Sequence, residues 1–377
     1  NQLSILNDGS ITNLYSYGVY NSGTISNLNN TSSISAEAAS SVEGSSITNI
    51  YASGIYNSST GTIETLTNAD TGVITGSNYG IENYGVITSL TNSGTITGSS
   101  GSGIYNSSSI GTLTNSGTIT GVGSSGIYNN GTIGTLSNAN GGVIAGSNGA
   151  GIYSSNAITD LTNNGTITGA SNGIDNNSTI TSLTNGGTIT GSGSLGIYNN
   201  GTIETLTNSG AITGSSGSGI YNNISIGSLI NADTGVITGS SGSGIYNIGG
   251  ITSLTNSGTI TGSSGSGIYS TGTITSLTNS GTITGSNYGI ENYGTIESLT
   301  NTSSGVITGA SGYGIYNRGS ITNIYSSGLY NNSTITNLNI TSPISLGNQL
   351  SILNDGSITN LYSYGPYKSG TISNLHH

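Results

Sequence analysis

Cysteine, methionine, tryptophan and phenylalanine are all absent from this 377-residue chain. Without cysteine there is no disulfide framework, no thiolate metal site and no thiol nucleophile. Without methionine there is no Met-rich binding groove. Lysine and arginine together number 2, too few to neutralise a phosphate backbone, which argues against nucleic acid as a partner. The 2 histidines are His376 and His377. They stand where an earlier copy of the same segment has asparagine and are read as tag residues, so no interior imidazole exists to activate a serine. No apolar run approaches the ~20 residues of a membrane helix. No initiator methionine or signal peptide opens the sequence, and the expectation is a processed chain or a fragment. Charged residues make up 4%, against roughly 25% in a globular domain. Thirteen carboxylates give a net charge of −11. What the chain has in excess is glycine, 65 residues, far above the usual ~7%.

That glycine is periodic. Gly-Ile-Tyr-Asn or a close variant opens at Gly54, Gly80, Gly103, Gly126, Gly151, Gly173, Gly196, Gly219, Gly244, Gly267, Gly289 and Gly314, at spacings of 22 to 26 residues. The unit 196–218 reads GIYNNGTIETLTNSGAITGSSGS. Its three apolar phrases, GIYN, GTIETLTN and GAITG, are short, alternating and rich in β-branched residues, which makes each a strand. A helix would not survive this frequency of glycine. Three short strands cannot close a core alone, but stacked units can, each strand pairing in parallel with its equivalent ~4.8 Å away. The expected fold is therefore all-β: a parallel β-solenoid of about 23 residues and three short strands per rung, with about thirteen full rungs and three short ones. Longer units carry their extra residues at one corner, as NADTG (68–72 and 231–235), NANGG (138–142) and NTSSG (301–305) in place of NSG.

Strand alternation assigns the faces. In GIYN, Ile and Asn point in and Tyr points out; in LTN, Leu and Asn point in; in TIT, only Ile does. The inward asparagines, Asn106, Asn129, Asn199 and Asn222 in one column and Asn92, Asn115, Asn208 and Asn256 in another, are expected to form amide ladders from rung to rung. The plainer alternative is that each caps its own turn. The outward column Tyr56, Tyr105, Tyr128, Tyr153, Tyr198, Tyr221, Tyr246, Tyr269 and Tyr316 is expected to be an exposed aromatic ladder. Glu82, Asp175 and Glu291 replace Tyr there, and an unpaired carboxylate resists burial. Such a row either binds glycans, surfaces or a neighbouring fibre, or simply stacks ring on ring.

The ends depart from the array. Residues 10–21, 46–57, 320–331 and 357–368 share a shorter phrase without the third strand. This divides the chain into an end module (1–57), a regular array (58–319) and a second end module (320–377). Residues 348–377 repeat 1–30 with only four differences, Val19/Pro366, Asn21/Lys368, Asn29/His376 and Asn30/His377. Three readings stay open: one period of a longer protein with super-repeats, a subunit whose ends stack head to tail, or a neutral duplication.

No catalytic, cofactor-binding or metal-ligating set is expected. Glycoside cleavage needs two carboxyl groups ~5–9.5 Å apart, and Glu64 and Glu204, in one column with Glu297, fall about six rungs apart by count. The nearest approach to a cluster is Glu291, Glu297 and Arg318. Asp70 and Asp233 lie in corner insertions and read as turn caps rather than calcium ligands. A Thr-x-Thr face (Thr95/Thr97, Thr118/Thr120, Thr166/Thr168, Thr188/Thr190, Thr259/Thr261, Thr282/Thr284) resembles the ice-binding face of solenoid antifreeze proteins. It is interrupted at Val73, Val143, Ala211, Val236 and Val306, and strand propensity also explains threonine there.

The string SGTITGSSGSGIYNSSSIGTLTNSGTITG (93–121) and its equivalents along nearly the whole chain resemble the repeats of bacterial autotransporter passenger domains and related large surface adhesins. The resemblance implies a right-handed β-helix, export, and display on the bacterial surface; it carries over no catalytic residue. The expected function is an extracellular structural solenoid: a cell-surface fibre, filament or adhesin shaft, with further copies of itself as partner and glycans or surfaces as other partners. The alternatives are a carbohydrate-binding or carbohydrate-cleaving β-helix and an ice-binding solenoid.

Overall fold

The computed structural model describes residues 11–30, 33–36, 47–310, 313–325, 329–331, 334–339, 352–354, 357–362 and 371–376. Among them all regular structure is β-strand, arranged as a parallel β-solenoid of about 12 full turns, with about 23 residues and three strands per turn. The chain divides into two compact units, residues 1–171 and 172–377.

In the first unit, one sheet is built from Ile11–Asn21, Ile47–Asn57, Ile81–Asn83, Ile104–Asn106, Ile127–Asn129 and Ile152–Ser154. A second contains Thr24–Asn30, Thr62–Asn68, Val86–Asn92, Ser109–Asn115, Thr132–Asn138 and Ile158–Asn163. The third contains Ser33–Ala36, Val73–Gly76, Thr95–Gly98, Thr118–Gly121, Val143–Gly146 and Thr166–Gly169. The second unit begins with Ile174–Asn176, Thr179–Asn185 and Thr188–Gly191, one strand on each face, and repeats them in the same order. Its last described third-face strand is Val306–Gly309; the first and second faces continue with Ser320–Tyr325, Leu329–Asn331 and Thr334–Asn339.

Pairing is in register by residue type: Ile104, Tyr105 and Asn106 lie beside Ile127, Tyr128 and Asn129, and Leu113 and Asn115 beside Leu136 and Asn138. A one-residue slip would turn every buried side chain outward, so alternation and pairing enforce each other. The core is four aliphatic columns per unit. Ile104, Ile110, Leu113 and Ile119 supply one rung of it, all at 0% exposure, each burial stabilising by roughly 1.5–3 kcal/mol.

Corners are where buried polar groups collect. Asn92, Asn106, Asn115, Asn129, Asn199, Asn208, Asn222 and Asn256 are all at 0% exposure, and they act as ladder and cap together. Asn92 Nδ2 donates to Asn115 Oδ1 at 2.7 Å, and Asn115 Nδ2 to Asn138 Oδ1 at 2.8 Å. Asn208 and Asn256 continue the same pattern into Asn231 and Asn279. On the first face Asn106 donates to Asn129, and Asn199 to Asn222, both at 2.8 Å. The second amide proton caps the turn: Asn92 Nδ2 also reaches the Gly94 carbonyl of its own corner and the Thr118 carbonyl of the next rung, both at 3.2 Å. A longer corner uses the same cap. Asn68 Nδ2 donates to Gly72 O, four residues on, at 3.1 Å, so the insertion bulges out while the corner glycine regains its place. Glycine is required there by crowding: a Cβ on Gly94 would lie 2.1 Å from the Gly72 carbonyl oxygen.

The ladder has a polarity, since in pairs such as Asn92–Asn115, Asn106–Asn129 and Asn208–Asn231 the amide donates toward the following rung. Serine breaks it. Ser270 accepts from Asn247 at 3.2 Å and gives its one proton to the Gly272 carbonyl at 3.5 Å. Nothing is left to donate onward, and Asn292 Oδ1 on the next rung is buried without a partner.

Two expectations change. The third face carries twelve strands among the described residues, six in each unit, where the glycine count suggested thirteen full rungs: a Gly phrase marks a first-face strand even where no third strand precedes it. The short phrase also takes two forms. At 320–331 it splits into a second-face and a first-face strand, whereas Ile11–Asn21 and Ile47–Asn57 are each a continuous eleven-residue strand paired along their length. None of these phrases contains a Gly-Ser-Gly corner, so the same phrase accommodates either form. The third-strand position is occupied early in the chain, by Ser33–Ala36 and Val73–Gly76. Half of the copy at 348–377 lies outside the described residues.

Ser270→Asn is expected to return a donor to Asn292 Oδ1 and stabilise the fold by about 1 kcal/mol, while Asn115→Ala, which strands partners on both sides, should cost ~3 kcal/mol. Denaturant unfolding of the two variants beside the parent checks both signs.

Candidate functional site

The tyrosine column follows from the first-face strands, whose middle residue points away from the core. Tyr56, Tyr105, Tyr128, Tyr153, Tyr198, Tyr221, Tyr246, Tyr269 and Tyr316 are half-buried, not freely exposed. The rings cover one another. Tyr105 and Tyr128 stack at 5.5 Å between centroids and Tyr128 and Tyr153 at 4.6 Å. In the second unit Tyr221 and Tyr246 stack at 4.9 Å, and Tyr246 and Tyr269 at 4.7 Å. Aromatic pairs at these separations add about 0.5–1.5 kcal/mol beyond their burial.

The carboxylates in this column correct the argument that placed it in open solvent. Glu82 is only 8% exposed. It is tolerated because it is paired: Ser53 Oγ donates to its Oε2, and the Tyr84 hydroxyl also bonds to it. Burial nevertheless holds the Glu82 carboxyl above its ordinary 4.5, the two hydroxyls offsetting part of the rise. Glu291 has the same surroundings, accepting from Ser266 Oγ at 2.6 Å and from the Tyr293 hydroxyl. Asp175 is held instead by amides, from Asn177 at 2.7 Å and Asn172 at 3.1 Å. Burial raises its carboxyl above 3.8.

A signal missed in the sequence accounts for this. The string TGSNYGIENYG occurs twice, at 75–85 and 284–294, and flanks each Glu with two extra tyrosines. Tyr84 fills the gap that Glu82 leaves, lying 5.7 Å from Tyr56 and 5.9 Å from Tyr105. Tyr293 does so between Tyr269 and Tyr316, at 5.6 and 6.4 Å. The aromatic row thus continues past both carboxylates. Tyr79 stacks on Tyr105 at 4.9 Å and Tyr288 on Tyr316 at 4.4 Å, widening the column at these two places. Burial raises the hydroxyl pKa of Tyr79 and Tyr84, and the neighbouring Glu82 adds to it.

The other singled-out groups fall elsewhere. Glu64, Glu204 and Glu297 are exposed on second-face strands. The Arg318 guanidinium sits 5.6 Å from the Tyr293 ring centroid and bonds to its hydroxyl, so Glu291 and Arg318 meet through a tyrosine. Asp70 and Asp233 lie in exposed turns. The threonines of the third face are mostly half-buried, with Val73, Val236 and Val306 exposed among them at 39–46%. No family model, curated protein or solved structure matches the chain.

A carboxyl whose pKa is raised by folding prefers the protonated form, so stability is fully present below the unfolded value and is lost as pH climbs through the raised one. Glu82→Gln removes that loss. The variant should unfold like the parent below pH 4.5 and be more stable at neutral pH; denaturant midpoints from pH 3 to 8 check it, and a less stable variant at pH 7 would contradict the assignment.

Proposed function

We propose that the chain is an extracellular structural β-solenoid, the shaft of a cell-surface fibre, filament or adhesin, without catalytic activity. The observation that carries the reading is the rung-to-rung identity of the pairing: Ile meets Ile, Asn meets Asn and Tyr meets Tyr at successive steps. Each rung therefore offers the next one the surface it received, and a strand edge of this kind accepts any chain with matching columns. Residues 1–30 and 348–377 are near-copies, so a rung built from either fits where the other stacks. The low charge, the absence of thiols and the resemblance of the repeats to passenger domains support the same reading.

Electron microscopy of the purified chain over a range of concentrations tests assembly. Fibres that lengthen with concentration are expected, and a variant lacking 348–377 should form fewer and shorter ones. Only short monodisperse rods at high concentration would rule out end-to-end assembly.

A further inference from the structure

A concavity of about 350 Å³ opens beside the tyrosine column in the first unit, lined by Asn78, Tyr79, Ser100, Ser102, Tyr105 and Tyr128, with Gly101 and Ser124 completing it. The volume is at the lower end for small-molecule sites, which run from ~300 to 1,000 Å³. Tyr79 comes from the corner just before Ile81–Asn83 and lies flat enough on Tyr105 to stack at 28° between planes. Gly101 permits this: a Cβ there would lie 2.7 Å from Cε1 of Tyr79. Tyr105 is the one stacking partner of Tyr79 among the described residues, so the Tyr79 ring lies beside the row, which runs on through Tyr84.

The floor holds an unexplained polar group. Ser102 is 1% exposed and its hydroxyl has no hydrogen-bond partner. The serines at the same rung position before the two Glu-bearing turns, Ser53 and Ser266, donate to Glu82 and Glu291. Ser102 precedes a turn with Tyr128 in that place and has no such acceptor. A buried hydroxyl left unmade costs about 1–3 kcal/mol, which marks the corner beneath the concavity as incompletely satisfied. Around it stand the Asn78 amide and the Ser100 hydroxyl, which already donates to Ser77 O at 2.6 Å and retains acceptor capacity.

We propose that this concavity is a subsite for a neutral sugar ring. Aromatic rings beside converging hydroxyl and amide groups match a pyranose, whose C–H faces are apolar and whose rim is hydroxyl. Charge selects against uronates. No lining residue is cationic, and Glu82 neighbours Tyr79. An anionic sugar would meet like charge without a compensating partner. The inference goes beyond the fibre reading and does not depend on it.

Saturation-transfer NMR and titration calorimetry with glucose, galactose, N-acetylglucosamine and their β-1,4-linked disaccharides, with glucuronate as the anionic comparison, test the site. A neutral sugar is expected to bind with a Kd of about 1 mM, and glucuronate at least tenfold more weakly. Tyr79→Ala should weaken binding at least tenfold. Ser100→Trp, which fills the concavity from an exposed position outside the core, should abolish it while circular dichroism, thermal unfolding and fibre formation remain those of the parent. Absence of saturation transfer from every neutral sugar, equal binding of glucuronate, or binding unchanged in both variants would overturn the proposal.

Discussion

A buried primary amide that donates upward and accepts from below is the interaction on which the rest of this structure depends. The aliphatic columns supply most of the burial, but hydrophobic burial is non-directional and would tolerate rungs of uneven length. The asparagines add direction. Each Nδ2 ties its rung to the next, as Asn92 does to Asn115, and at the same atom closes the corner of its own rung. Corner insertions, irregular spacing and the near absence of charge are all compatible with the fold because this cap holds the corner at Gly94 and at Gly72 alike. Serine at the ladder position shows the dependence from the other side: with one proton where the amide has two, Ser270 satisfies its corner and leaves Asn292 short.

The tyrosine column is the same idea carried to the surface. One residue type repeated at the rung spacing brings rings to stacking distance without further design. The two TGSNYGIENYG strings are departures that keep the row intact, since Tyr84 and Tyr293 replace the rings displaced by Glu82 and Glu291. They also introduce the structure's most chemically varied surroundings: paired carboxylates, hydroxyl chains and, beside Tyr79, a concavity. Local function on a solenoid is reasonably sought where the repeat is broken in this way, because a perfect repeat offers every ligand many equivalent weak positions.

Much of this was legible in the sequence. GIYN and LTN state their own inward and outward positions, and their spacing states which residues become neighbours, so the ladder partners of Asn106 and Asn208 follow from counting. Depth was less legible. Alternation says that Tyr105 points away from the core but not that adjacent rings and corner loops half-bury it. It also gave the wrong reason for exposure, because a carboxylate at Glu82 finds donors in Ser53, on the previous rung, and Tyr84, two residues on. Such pairings depend on which side chains converge across rungs, and no single repeat records that. The long strands Ile11–Asn21 and Ile47–Asn57 were missed for a related reason: the short phrase lacks a corner, and a missing corner permits both a skipped strand and an extended one.

Hydrogen exchange of asparagine side-chain amides, followed by 15N NMR, addresses the ladder directly. The account predicts two populations: inward amides such as those of Asn92, Asn115 and Asn208 protected to the degree of core backbone amides, and exposed ones such as Asn130 and Asn164 exchanging at free-solution rates. A single population in which Asn92, Asn115 and Asn208 exchange as fast as Asn130 would contradict it.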